Sequence, residues 1–202
     1  MGLTTDIRYV KGVGETRAKA LKKLGVTTLG GMVSYFPRDY EDRRTVKAIR
    51  DLTFGETVCV EAVVAGEPVL SHVRSGLDLV KLRAVDAGGT LSITFFNQPY
   101  VKKALKRGET YLFYGRVGGK LTLPEMVNPL FAPESGKTEL CRLAPVYRLT
   151  AGVTQSLIAR SVRQGLEACG EVLPNPLPDG VRQQYQLAQS RFAYENVHFP
   201  EN

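Results

Sequence analysis

Hydrophobic and polar positions change their spacing twice along this chain. In residues 17–24, Ala18, Leu21 and Leu24 recur at helical spacing between Lys19, Lys22 and Lys23, which predicts an amphipathic helix stopped by Gly25. A second short helix is expected over 28–35, ended by Pro37. From residue 57 the period falls to two. Residues 57–65 are rich in valine, and in 77–86 Leu79, Lys81 and Arg83 alternate with Val80, Leu82 and Ala84. Asp86, Ala87, Gly88 and Gly89 read as a turn, after which Leu91, Ser92, Ile93, Thr94 and Phe95 alternate again. A helix-like piece over 100–106, stopped by Gly108, precedes a strand over 111–117. Gly118 and Gly119 read as a tight turn into a last strand over 121–127, where Pro124 points to an edge or a bulge. Helical spacing returns over 154–168, with Thr154 as N-cap and Leu157, Val162 and Leu166 apolar. Pro174, Pro176 and Pro178 then punctuate the chain before a helix-like segment that runs to His198.

Three strands, a helix and a hairpin are the element order of an OB-fold, a partly open Greek-key barrel of about five strands. The predicted fold is therefore mixed α and β, an OB-fold barrel flanked by an N-terminal helical hairpin region and C-terminal helices. The corresponding zones are 1–50, 51–130, and 131–202 as linker and C-terminal helices. At 202 residues, with 43% hydrophobic and 23% charged, the chain can bury a real core and lacks the composition of a disordered one. It has neither an apolar run near the roughly 20 residues of a membrane span nor a secretory start, so no membrane partner and a cytoplasmic location are expected. Cys59, Cys141 and Cys169 are far apart and odd in number, which excludes a disulfide framework; with only 2 histidines they leave little for a metal site.

Charge adds a direction. The net charge of +7 is distributed as +6 over residues 1–50, −3 over the next fifty, +5 over 101–150 and −1 over the remainder. Two basic blocks separated by a mildly acidic one suggest two surfaces touching one polyanion. Within the first block, Val10, Lys11, Gly12, Val13 and Gly14 have the pattern of a helix-hairpin-helix, in which glycines let backbone N–H groups approach a phosphate. The alternative is a tight inter-helix turn with a solvated lysine face, the commoner use of such hairpins. Ser135, Gly136, Lys137 and Thr138 look like the end of a Walker A loop, but Phe131 stands where its first glycine belongs. The alternating charges of residues 38–44 read as a solvated linker. His72 and His198 are isolated, and no nucleophile–base or paired-carboxylate pattern appears, so the chain is not expected to be an enzyme by itself. Residues 92–100 are the most telling. With Leu91, Ile93 and Phe95 facing the core, Ser92, Thr94 and Phe96 face outward. Tyr100 follows, then Lys102, Lys103, Lys106 and Arg107. Rings for base stacking beside cations for phosphates make a single-strand binding surface. Such a surface does not tell DNA from RNA, and a basic barrel also suits an acidic protein segment, so all three readings stand.

Several ordered motifs resemble the opening of the bacterial DNA helicase family RecG. They are Val10 to Gly14, then Leu24, Gly25 and Val26, and then Tyr35 through Arg43. Phe95, Phe96, Asn97, Gln98, Pro99 and Tyr100 resemble that family's wedge-domain motif; Pro145 to Tyr147 and Val197 to Pro200 resemble later landmarks. The resemblance implies a wedge that sits at the branch point of replication forks and Holliday junctions and splits the strands. It implies that the rings of Phe96 and Tyr100 stack on bases at the fork; Asn97 between them is carried as a DNA contact, beside Lys102, Lys103 and Lys106, the cations already read as phosphate contacts. Lys11, Gly12 and Gly14 are carried as a further DNA contact. The family's ATP and magnesium belong to two motor lobes that these residues do not contain, so no cofactor is expected here. Branched DNA with single-strand character is the implied partner, and single-stranded DNA-binding protein a further one. The last residues close no recognisable unit, so the chain is expected to be part of a longer one.

Overall fold

The structure is a computed structural model that describes residues 2–201 except 121, 171, 172 and 174–176. In chain order its helices and strands are α1 (Gly14–Lys22), α2 (Leu29–Val33), β1 (Asp39–Asp42), β2 (Val46–Lys47), β3 (Thr57–Val64) and β4 (Val69–Arg74). Then follow β5 (Leu77–Asp86), β6 (Gly89–Phe96), α3 (Val101–Ala104), β7 (Thr110–Lys120), β8 (Leu123–Val127) and β9 (Leu130–Pro133). The chain ends with α4 (Lys137–Leu140), β10 (Leu143–Val146), α5 (Gln155–Cys169), α6 (Asp179–Gln184) and α7 (Ser190–His198). The three zones read along the sequence fall into two compact units: residues 42–142 form one, and 1–41 with 143–202 form the other.

The first of these units is a closed barrel. β3 pairs antiparallel with β5 and with β7, β5 with β6, β6 runs parallel to β8, and β8 returns to β7. This is the five-strand circuit of an OB-fold, as the element order implied. Its interior follows the pleat: Val58, Val60, Ala62 and Val64 from β3, Val80, Leu82 and Ala84 from β5, and Leu91, Ile93 and Phe95 from β6 are all buried. Val101 and Leu105 of the α3 segment complete that core. β2 extends the sheet beside β3, β4 beside β5 and β9 beside β7.

One expectation needs correction. Gly118 and Gly119 do not form the turn; they lie inside β7, opposite Glu125 and Pro124, and the chain reverses beyond the Lys120–Leu123 pair. The reason is steric. Gly119 sits at φ +81°, and a Cβ there would stand 2.6 Å from the Leu123 carbonyl oxygen, so only glycine lets the strands meet. Residue 121, where the last strand was expected to begin, lies outside the described residues, as do Pro174 and Pro176. The charged stretch 38–44 does link the two units, whose boundary falls between Glu41 and Asp42, and it is ordered as well as solvated. It contains β1, which pairs with β10, and its charges are used locally: Arg44 donates to Asp42 at 2.6 Å, and the Arg43 guanidinium lies 4.7 Å from the centre of the Tyr114 ring.

The second unit is helical and packs around α5. Thr154 Oγ1 accepts from the Leu157 N–H at 3.2 Å, the N-cap expected from the sequence. Leu157, Ile158, Val162 and Leu166 are buried on one face, each contributing about 1.5–3 kcal/mol of apolar transfer. Gly165 permits close packing on α2: a Cβ there would lie 2.6 Å from Val33 Cγ1 and 3.1 Å from Leu29 Cδ1. His198 is fully buried at the end of α7. Its Nδ1 meets the Tyr147 hydroxyl at 2.9 Å and its Nε2 meets the Val33 carbonyl at 2.7 Å. The tautomer with the proton on Nε2 satisfies both contacts, since Tyr147 then donates to Nδ1.

Burial holds the His198 pKa below its ordinary value, against a smaller opposing pull from the Val33 carbonyl. An unfolded histidine takes up its proton below about pH 6.5 while the buried one does not. The stability tied to this group is therefore complete above about pH 6.5. It falls as the pH drops from there, and levels off below the folded pKa. The melting midpoint of the wild-type chain is expected to fall more between pH 7.5 and 5.5 than that of His198→Gln. Equal slopes would contradict this account.

Candidate nucleic-acid interface

The pleat of β6 determines what its end presents. Phe95 is fully buried, and Phe96, one residue on, turns its ring out with 39% exposure. The strand stops at the next residue because Asn97 adopts φ +55°, a conformation asparagine tolerates better than most side chains. Asn97 is tied to the end of β5 in two places: its N–H donates to the Asp78 carbonyl at 2.8 Å, and its Oδ1 accepts from the Asp78 N–H at 3.0 Å. The chain then enters α3, with Tyr100 as its N-cap. Val101 and Leu105 face the barrel core, while the Tyr100 ring stands 59% exposed.

The two rings share one set of polar supports. Asn128, just past β8, accepts the Phe96 N–H on Oδ1 at 2.7 Å and the Gln98 Nε2 at 3.2 Å. Gln98 Oε1 in turn accepts the Tyr100 hydroxyl at 2.7 Å. The Asn128 N–H donates to the Thr94 carbonyl at 2.8 Å, which anchors the support to β6. Charge-neutral bonds of this kind contribute about 0.5–1.5 kcal/mol each to holding a geometry. Lys102 and Lys103 project from α3 and are exposed, and Lys106 lies 3.7 Å from Glu109. The expected residues Phe96, Asn97, Tyr100, Lys102, Lys103 and Lys106 are therefore brought together at one end of the barrel. Asn97 uses its side-chain oxygen on the backbone of Asp78, so it shapes the turn between the rings.

Ser92, Thr94 and Phe96 lie on one outward face of β6. Ser92 and Thr94 line a groove of about 560 Å³ together with Lys81, Arg83 and Glu125. Thr94 is buried although it points outward, because its hydroxyl donates to Glu125 Oε1 at 3.1 Å. Lys81 and Arg83 were not singled out from the sequence; their alternation with Val80 and Leu82 is the signal that places them on the outer face. Asn128 carried no comparable signal.

Lys11, Gly12 and Gly14 lie in the helical unit, the first two on the turn before α1 and Gly14 as its first residue. Gly12 has φ +88° and Gly14 φ +55°. The Gly12 carbonyl accepts from Arg17 Nη1 at 2.6 Å, so Arg17 braces this turn while the Lys11 side chain is exposed. The Walker-like stretch has a strand before it and a helix after it, β9 and α4, but Lys137 is engaged by Glu61 at 2.6 Å. That carboxylate raises the Lys137 pKa. Among the described residues, no group of three or more His, Cys, Asp or Glu is placed to hold a metal ion, and no helix is long and apolar enough to cross a membrane.

Comparison with known proteins gives one consistent result. Residues 6–169 match the family model of the RecG wedge domain. The chain is 33% identical over 204 residues to the ATP-dependent DNA helicase RecG of Thermotoga maritima, covering 98% of this chain and 26% of the relative. It is 27% identical over 200 residues to the RecG of Bacillus subtilis, covering 98% of this chain and 28% of that protein. A solved structure of RecG bound to a three-way DNA junction superimposes with a TM-score of 0.85 at 30% identity, covering 100% of this chain and 28% of that one. The chain thus spans about a quarter of the length of the curated relatives it matches.

Proposed function

Because the chain belongs to the RecG wedge domain family, we propose that it binds branched DNA and splits strands at the branch point of a replication fork or Holliday junction. The observation that carries this reading is the pair of exposed rings, Phe96 and Tyr100, braced through Asn128 and Gln98 at one end of the barrel. At a branch point the last base pair ends and its bases offer free faces; an exposed aromatic ring replaces the lost stacking neighbour. Lys102 and Lys103 then hold the phosphates of the strand that has been turned aside. Ser92 and Thr94, on the same face of β6 as Phe96, line a groove together with Lys81 and Arg83, two cations that suit the backbone of a departing single strand. A RecG bound to a three-way DNA junction is among the proteins this chain resembles over its full length, which supports a branched rather than a linear substrate. ATP hydrolysis is assigned to parts of the longer relatives outside this chain, and Lys11, Gly12 and Gly14 to a subsidiary backbone contact.

Competition binding tests the reading. Forked DNA should displace a labelled fork better than linear duplex, structured RNA or an acidic peptide at equal salt. Preference for RNA or for the peptide would replace DNA by that ligand. Affinity for the fork should also fall steeply with salt, with log K against log salt sloping at roughly −3 to −5 for a handful of phosphate contacts. A flat response would contradict phosphate binding by the lysines.

A further inference from the structure

The two cysteines of the barrel unit are 82 positions apart in sequence and touch in space. Cys59 sits on β3 with its side chain on the outer face, opposite to the inward Val58 and Val60, and is fully buried under Leu112 and Leu140. Cys141 follows α4 as its C-cap and is half-buried. Both are free thiols, and the Cys141 S–H donates to Cys59 Sγ at an Sγ–Sγ distance of 3.3 Å. We propose that Cys59 and Cys141 are a redox modification site, a thiol pair that a peroxide converts to a disulfide and a dithiol restores.

The accessibility of the two thiols orders the steps. Cys141 is the half-exposed partner and meets the oxidant. Its sulfur attacks one peroxide oxygen, an S–O bond forms and the O–O bond breaks; the departing hydroxide takes the thiol proton and leaves as water. The buried Cys59 sulfur then attacks Cys141 Sγ. An S–S bond forms, the S–O bond breaks, and the second hydroxide leaves as water with the Cys59 proton. Two thiols are oxidised and one hydrogen peroxide is reduced to two waters.

Burial pushes the Cys59 pKa up to about 12, against a smaller pull from Arg43. Cys59 is therefore a protonated thiol at neutral pH, protected from solvent oxidants and committed to its neighbour. A group held in contact reacts at a very high effective concentration, which offsets its low thiolate fraction. Closing the bond brings the sulfurs to about 2.05 Å. Cys141 can supply that movement because it follows a helix of only 4 residues. The chain leaves the barrel unit two residues later, at Leu143. The Arg43 N–H donates to the Arg142 carbonyl at 3.1 Å, so the incoming and outgoing segments are joined at this point. A disulfide fastens that junction to the first barrel strand.

The test is peptide mapping of the 202-residue chain after hydrogen peroxide treatment. The expected product is a Cys59–Cys141 linked peptide, 2 mass units lighter than the two thiol peptides together and released by dithiothreitol. In Cys59→Ser, Cys141 should instead be trapped as a sulfenic acid that dimedone labels. The oxidised wild-type chain should unfold at a midpoint at least about 5 °C above the reduced chain, because the link closes a long loop; Cys141→Ser should show no such rise. Conversion of Cys141 to sulfinic acid with Cys59 still free, or links that run between molecules or to Cys169, would overturn the proposal.

Discussion

Replacing Phe95 by alanine is expected to remove about 3–5 kcal/mol from the stability of the barrel. The ring is fully buried among Val80, Ile93 and Val101, and it meets Phe131 edge-on with centroids 5.7 Å apart. Deleting it loses the transfer energy of the ring and leaves a cavity that a closed barrel cannot collapse to fill. Domains of this size are stable by only about 5–15 kcal/mol, so the loss should move the urea midpoint of this unit far below that of the wild type. Phe96→Ala is the paired control. Its ring already stands 39% exposed, and its loss should cost well under half as much stability. If the two variants exchanged places, the strand would be out of register by one residue, and the assignment of the outward ring would fall with it.

That alternation was legible because β5 and β6 carry one buried and one solvated face. The predicted 77–86 strand and the observed Leu77–Asp86 coincide for this reason. β4 escaped notice because it contributes only a partly buried Leu70 to the core, so its sequence keeps no period. Apart from Leu70 and the contact of His72 with Asp78, it is held by backbone pairing with β5, and backbone bonds are blind to residue type. The rings of the candidate site were visible as an aromatic out of phase, followed by Tyr100 and lysines. Their support was not. Asn128 lies 32 positions beyond Phe96, and what it does depends on β8 lying parallel beside β6, with Thr94 opposite Val127. The same limit hid Cys59 beside Cys141, and Tyr147 beside His198 at 51 positions. Contacts between segments distant in the chain leave no local pattern. The return of residues 143–202 to complete the helical unit is the largest instance.

Tyr100 and Phe96 are expected to carry the binding preference between them. Stacking on one exposed ring contributes about 1–3 kcal/mol per base, or roughly 5- to 150-fold in affinity. The double variant should therefore lose most of the chain's preference for a fork. Its affinity for linear duplex should change little, because Lys102 and Lys103 still meet phosphates, and those contacts carry no information about branching. Both rings are substantially exposed, so the double variant should keep a melting midpoint close to that of the wild type.

The most direct measurement is the ratio of dissociation constants for a fork and for a linear duplex of the same length. It is taken at one salt concentration for the wild-type chain and for Phe96→Ala/Tyr100→Ala, with the folding of each verified by its melting curve. The account predicts a wild-type ratio strongly favouring the fork and a folded double variant in which that preference is lost. A folded double variant that keeps the wild-type ratio would contradict it.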